Sequence, residues 1–169
     1  AESDREAGTI TLVVPVTGAA TERLCAVGVG EALASVAGPL GRPTELGRFG
    51  HVVLVGGGPG AATLHPHAVA LTALDNRVTA LLGASSAPHL VYEEELTRHC
   101  DAVLPCTDDG THGFAGYVTS RLARLLADET VDAVFTAGSV PLMKAVAAVT
   151  RPCGARSWWT ARGCAAAAG

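Results

Sequence analysis

The chain has 169 residues, a formal net charge of −4 at pH 7, 49% hydrophobic residues, 17% charged and 4% aromatic. That is enough to bury a core in one domain of ordinary size, or in one and a half small ones, and it excludes a disordered chain. An acidic balance with Lys144 as the single lysine leaves no basic surface for nucleic acid, and no apolar run reaches the roughly 18 residues that span a bilayer.

The first residue is Ala1 and the one methionine is Met143, which implies a processed chain or a fragment. The opening AESDREAG is polar and acidic, unlike a secretory signal or a transit peptide, so a cytoplasmic protein is expected. The cysteines are Cys25, Cys100, Cys106, Cys153 and Cys164, an odd number with no CxxC pair. This argues against a disulfide framework and against a zinc or iron–sulfur site held by the chain as written. Buried thiols acting as small hydrophobes are expected instead.

Residues 9–16 (TITLVVPV) have the composition of a strand. Thr21 to Ala26 reads as a short helix entered through Gly18, and Ala34 to Ala37 as a short strand. Residues 38–49 carry three glycines and two prolines, the mark of a boundary. Beyond it the texture changes. His51 to Val55 is a continuous apolar run, as in a strand buried on both faces of a parallel sheet. A glycine cluster and a helix at about 60–74 follow. Further strands are expected at Arg77 to Leu82, Ala102 to Leu104 and Ala133 to Thr136. Helices at about 90–98, 116–127 and 140–149 separate and close them. This alternation predicts an α/β fold with a doubly wound parallel sheet and right-handed crossovers. The tail, Arg156 to Cys164 and then four alanines, carries two adjacent tryptophans and makes poor material for a final strand or a packed helix.

The strongest local signal is Val55-Gly56-Gly57-Gly58-Pro59-Gly60-Ala61, directly after a strand and before a helix. That context suits a dinucleotide pyrophosphate. Glycines let it approach the backbone, and the helix behind them offers unpaired N–H groups and the positive end of its dipole. Pro59 fits a helix start, where its missing N–H is harmless. A standard Rossmann site also needs a carboxylate at the end of the second strand, but Gly83-Ala84-Ser85-Ser86 stands there. Thr107-Asp108-Asp109-Gly110 and Gly138 to Lys144 follow later strands at the same edge, so several loops converge on one crevice. Lys144 itself suits a solvated helix face. His65 and His67 are two apart on a helix and do not form a metal pair. The absence of GxSxG disfavours an α/β-hydrolase.

Taken in order, VGGGPGAATLHPHA, LLGASS, VYEEEL, TDDGTHGFAGYVT and TAGSVPLMKAV resemble the pyridine-nucleotide domain of the ferredoxin–NADP reductase-like family. The nearest branch is the electron-transfer subunit of dihydroorotate dehydrogenase, with the small subunit of NADH-dependent ferredoxin:NADP oxidoreductase, or sulfide dehydrogenase. The stretch from VVPVTGAATERL to AGPLGRP resembles the second half of that family's flavin-binding barrel. The likeness covers about residues 4–155. It implies a five-stranded parallel sheet preceded by a partial antiparallel β-barrel. Residues 1–49 would belong to the barrel and 50–155 to the NAD(P)-binding domain.

The family also implies NAD(P)H, FAD and a [2Fe–2S] cluster, hydride transfer to the flavin, and single electrons passed to a larger flavoprotein or dehydrogenase subunit. For NAD(P), the implied residues are Gly56, Gly57, Gly58, Pro59, Gly60, Ala61 and Thr63 near the pyrophosphate. Ser85 and Ser86 would lie by the adenosine ribose, and Asp108, Asp109, Gly138 and Met143 on the nicotinamide side. Gly18, Ala20 and Thr21 would meet the FAD pyrophosphate. No catalytic side chain is assigned.

Several positions depart from the family. Ser85 stands where arginine is frequent, Thr63 replaces a usual proline, and Ser139-Val140 a usual proline pair. The strand that holds the flavin ring would precede residue 1. The family continues beyond Arg151-Pro152 into a strand and a cysteine-rich loop of the type V-D-G-T-G-M-C-G-x-C. Codons begun at the old third base can turn Arg156 onward into V-V-V-D-G-T-G-M-C-G-G-C. Residues 156–169 are therefore expected to be a cluster-binding loop read out of frame, with its ligands lost. The alternatives are a non-catalytic nucleotide-binding or assembly module and, if no nicotinamide binds, a phosphate-sugar enzyme.

Overall fold

The computed structural model describes every residue except 1, 5, 39, 154, 162, 163 and 169, and gives no side-chain surroundings for residues 2, 3, 153 and 156–168. The chain divides into two compact units, Ala1–Arg42 and Pro43–Gly169. In the first, β1 (Glu2–Asp4) pairs antiparallel with β2 (Thr9–Thr11), and α1 (Ala19–Cys25) follows. The turn between the strands is held by the Asp4 carboxylate, which accepts the N–H groups of Glu6 and Ala7 at 2.9 Å each.

The expected partial barrel is not seen among the described residues of this unit. Among the described residues, this unit holds one ladder and one helix. The expected strand over 9–16 stops at Thr11, and Ala34 to Ala37 is not a strand. These stretches lack a pairing partner, and a strand composition does not make a strand without one. Helix α1 also buries no residue.

The second unit is the doubly wound sheet. Its strands are β3 (His51–Gly57), β4 (Arg77–Ala84), β5 (Ala102–Thr107), β6 (Phe114–Ala115), β7 (Ala133–Ala137), β8 (Arg156–Ala161) and β9 (Cys164–Ala168). The spatial order is β6-β5-β4-β3-β7-β8-β9, all parallel except the final β8–β9 pair. The five-stranded parallel sheet is thus present as β5-β4-β3-β7-β8.

Central strand β3 shows why its sequence is apolar throughout. Val52 and Leu54 face one core, Val53 and Val55 the other. On the first face lie α2 (Gly60–Ala73), through Leu64, Ala68 and Leu71, and α3 (Glu93–Thr97), through Leu96. On the second lie α4 (Val118–Asp128), through Leu122 and Leu125, and α5 (Val140–Thr150), through Val146.

Two departures have local causes. Strand β5 runs through Pro105 to Thr107, beyond the expected Leu104. Its ladder to β6 starts only at Cys106, so a residue without an N–H is tolerated at Pro105. The tail expectation is overturned in its backbone: β8 continues the parallel ladder of β7, with Ala133 opposite Arg156 and Ala137 opposite Thr160. An open strand edge pairs through its main chain, and the alanine run folds back as β9.

Candidate functional site

Strand order reverses at β3, which has its sequence neighbour β4 on one side and β7 on the other. Ligand crevices in such sheets lie at the carboxyl ends of the strands around this point. The glycine turn sits there. Strand β3 ends in Gly56 and Gly57, and Gly58 then takes φ +51°. The Gly58 N–H donates to the Gly83 carbonyl at 2.9 Å, while the Gly58 carbonyl accepts the Ala61 N–H at 3.1 Å. A Cβ on Gly56 would lie 2.9 Å from the Ala61 Cα, and one on Gly60 would collide with the Ala137 carbonyl. A Cβ on Gly58 would meet nothing within 4 Å. The turn is therefore closed beneath and open above Gly58.

That open side is the floor of a cleft of about 820 Å³. Its walls come from the ends of four strands: Gly57 to Pro59 after β3, Gly83 to Ser85 at β4, Asp108 after β5 and Ser139 after β7. Three helices also begin at this cleft. The first turns of α2 and α4 hold no acidic residue and no side-chain cap, and α5 is capped by the Ser139 hydroxyl, 3.4 Å from the Leu142 N–H. Helix starts of this kind attract anions through unpaired N–H groups and the macrodipole. Among the described residues, the lining holds neither lysine nor arginine, so these dipoles supply the attraction.

The outer wall is a polar network. Backbone bonds Asp108 N–H to Ala84 carbonyl (3.0 Å) and Asp109 N–H to Ser85 carbonyl (3.2 Å) extend the β4–β5 pairing into the loops. Next comes a short 3-10 turn, Ala87–His89. The Ser85 and Ser86 hydroxyls lie 3.1 and 2.9 Å from the His89 Nδ1. The Asp109 carboxylate accepts the Thr111 N–H and hydroxyl at 3.0 and 2.7 Å, and the Thr111 hydroxyl accepts the Ala87 N–H at 2.9 Å. These bonds hold the Asp109 carboxyl below the usual carboxylate range. Buried Thr107 clamps the far end of the loop: its hydroxyl donates to the His112 carbonyl at 2.8 Å and accepts the His112 N–H at 3.0 Å. His112 reaches Glu93 at 3.0 Å.

No family model matches the chain. Individual relatives do. The chain is 36% identical over 158 residues to a dihydroorotate dehydrogenase B (NAD(+)) electron transfer subunit homolog of Thermotoga maritima, covering 94% of this chain and 56% of that protein. It is 34% identical over 151 residues to the electron transfer subunit of dihydroorotate dehydrogenase B (NAD(+)) of Shouchella clausii, covering 88% of this chain and 57% of that protein. The solved NADH-dependent reduced ferredoxin-NADP oxidoreductase, described for flavin-based electron bifurcation, superposes with a TM-score of 0.80 at 34% identity, over 88% of this chain and 54% of that one.

The chain belongs to this family of dihydroorotate dehydrogenase B and NADH-dependent ferredoxin-NADP oxidoreductase electron-transfer subunits. It spans about half the length of the curated relatives it matches. The C-terminal domain of a Pyrococcus furiosus hydrogenase is a more distant structural likeness, with a TM-score of 0.62 at 25% identity, over 73% of this chain and 100% of that domain.

Of the residues singled out by sequence, Gly57, Gly58, Pro59, Ser85 and Asp108 line the cleft. Gly56, Gly60, Ala61 and Gly138 stand behind it as backbone supports. Thr63 is exposed on α2, and Met143 is buried on α5. Ser86 is joined to His89, and Asp109 is engaged with Thr111. Gly18 caps α1, where the Thr21 hydroxyl accepts the N–H groups of Thr17 and Gly18 at 2.9 and 3.1 Å. Ala20 lies exposed on the same helix.

Sequence reasoning missed His89, Tyr117 and Thr119 in the lining, while Leu142 lies in the expected Gly138 to Lys144 segment. The misplaced helix starts hid the first two: α3 begins at Glu93 rather than near 90, and α4 at Val118 rather than 116.

His65 and His67 do diverge. His65 packs edge-on to Tyr92 and His99, while the His67 ring meets the Thr63 carbonyl at 3.1 Å and the Thr44 hydroxyl at 3.3 Å. Among the described residues, no group of three or more His, Cys, Asp or Glu is placed to hold a metal ion, and no helix is long and apolar enough to cross a membrane.

Proposed function

We propose that the chain is the nucleotide-binding part of an electron-transfer flavoprotein subunit, with residues 50–155 binding NAD(P)H in this cleft. The observation that carries the reading is the meeting of an open Gly58 turn with three helix starts over one cleft of about 820 Å³, lined among the described residues by neither lysine nor arginine. A pyrophosphate fits the space above Gly58, where any side chain would stand in its way. Gly57, Gly58 and the start of α2 hold it. Ser85, Ser86 and His89 offer hydrogen bonds to the ribose hydroxyls beside β4. The starts of α4 and α5, with Val118 and Leu142, make an apolar seat for the rest of the molecule and keep water from it.

Bound there, the nicotinamide supplies a hydride, and an FAD partner supplies the conversion from electron pairs to single electrons. Residues 1–49 contribute to a flavin-binding barrel under this reading. Ile10, Val16 and Val36 of this unit are 57%, 62% and 61% exposed, apolar surface that such a barrel would cover. Gly18, Ala20 and Thr21 would lie toward the FAD. The partner is a larger flavoprotein or dehydrogenase subunit, reached through a [2Fe–2S] cluster. Among the described residues, no group of three or more His, Cys, Asp or Glu is placed to hold that cluster. Residues 156–169 are, under the same proposal, a cluster-binding loop read out of frame, which sequencing the gene across codon 155 tests.

Isothermal titration with NADH tests the binding half, with saturable one-to-one heat expected. No heat at millimolar NADH would overturn it. Bleaching of flavin absorbance on adding NADH to the FAD-loaded chain tests the redox half. Binding without bleaching would leave a non-catalytic nucleotide-binding or assembly module.

A further inference from the structure

We propose that Asp109 is a positioning residue: acting through Thr111, it holds the turn bearing Ser86 and His89 against the cleft and so sets affinity for the ribose end of the nucleotide without touching it. This rests on the nucleotide reading of the cleft.

The direction of the chain of bonds is fixed by chemistry. An ionised carboxylate only accepts, and a threonine hydroxyl has one proton to give. The Thr111 hydroxyl gives that proton to Asp109 at 2.7 Å, so it meets the Ala87 N–H at 2.9 Å as an acceptor. The relay therefore runs from the Ala87 amide through the Thr111 hydroxyl to the Asp109 carboxylate, and each bond strengthens the next. Ala87 is the first residue of the turn. Ser86 precedes it and His89 closes it, with the His89 Nδ1 2.9 Å from the Ser86 hydroxyl.

Asp109 lies outside the cleft lining, whereas Ser85 and His89 line it. The base from which Asp109 pulls is itself held. The Asp109 N–H is bonded to the Ser85 carbonyl at 3.2 Å, and Thr107 clamps His112 by two bonds. Gly113, at φ +69°, lies so close to the Pro105 carbonyl that no Cβ fits. The loop is thus a rigid frame, and Thr111 is its contact with the amide that starts the turn. Removing Asp109 leaves the Thr111 hydroxyl free to rotate and to release Ala87.

The test uses the full chain with Asp109→Ala, Thr111→Val and Thr111→Ser. Hydrogen exchange at the Ala87 amide, read by NMR without ligand, reports the turn. Binding of AMP and of reduced nicotinamide mononucleotide reports the two ends of the cleft. Asp109→Ala and Thr111→Val should speed Ala87 exchange and weaken AMP by about threefold to tenfold, the range of one hydrogen bond. The mononucleotide should bind as before, and Thr111→Ser should behave as the parent chain.

Unchanged Ala87 exchange would overturn the proposal. So would faster exchange with unaltered AMP affinity, or equal losses for both ligands. A parent chain that binds neither AMP nor NADH would overturn the nucleotide reading and with it the ligand half of the proposal. The exchange data would still decide whether Asp109 holds the turn.

Discussion

Gly60 and Ala137 are packed backbone to backbone: a Cβ on Gly60 would strike the Ala137 carbonyl and lie 2.8 Å from the Gly138 nitrogen. The first turn of α2 is thereby seated on the end of β7, which brings the loops after β3 and β7 side by side over the cleft. Gly60→Ala should destabilise the fold by about 1–3 kcal/mol, since backbone cannot yield as a side chain can. Gly58→Ala meets open space and pays only for its left-handed φ of +51°, about 1 kcal/mol. Urea unfolding compares them. A Gly60→Ala chain as stable as the parent would refute the packing argument.

A second expectation concerns phosphate at the ribose. Asp108, His89 and Tyr117 are the ionisable residues in the lining, and among the described residues it holds neither lysine nor arginine to meet a 2′-phosphate. NADH should bind more tightly than NADPH by about tenfold or more, the worth of one charge-assisted bond. Ser85→Arg should narrow the gap, because a bidentate guanidinium suits a phosphate. Competitive titration reads both. Equal affinities in the parent chain would contradict the account of the cleft.

Thiol chemistry should follow burial. Desolvation pushes the Cys100 and Cys106 thiols up to about 12 and about 11. Both stay protonated near neutral pH, and the thiolate is the reactive form. Iodoacetamide on the native chain, followed by peptide mapping, should modify exposed Cys25 well before either of them. Fast modification of Cys106 would show that β5 opens readily.

Burial holds the His67 imidazole below its ordinary range, against the opposing bond to the Thr63 carbonyl. The folded chain therefore binds fewer protons at this site than the unfolded chain. Its contribution to stability is present above about pH 6.5 and is lost as pH falls below it. Urea midpoints measured through this window should drop toward acid, and His67→Gln should flatten that slope. An unaltered slope in the variant would place the dependence elsewhere.

The sheet was legible because its strands are buried on both faces, and runs such as His51 to Val55 admit few other readings. The glycine turn was legible for the same reason that it works: Gly56, Gly58 and Gly60 meet three different backbone demands within five residues. Two things were not legible. Strand β8 is set by the open edge of β7, which pairs through the main chain and leaves little trace in residue type. The role of Asp109 depends on Ala87, 22 residues away by sequence number, and such a bond has no local pattern. First-unit strands were over-read for the opposite reason, since apolar composition alone does not supply a partner strand.

The central claim is that the cleft over Gly58 takes a nicotinamide dinucleotide. An amide-resolved NMR titration of this 17.0 kDa chain with NADH tests it most directly. The account predicts saturable shifts, largest at Gly57, Gly58, Ser85 and Ser139. No saturable shift, or shifts confined to residues outside the cleft, would contradict it.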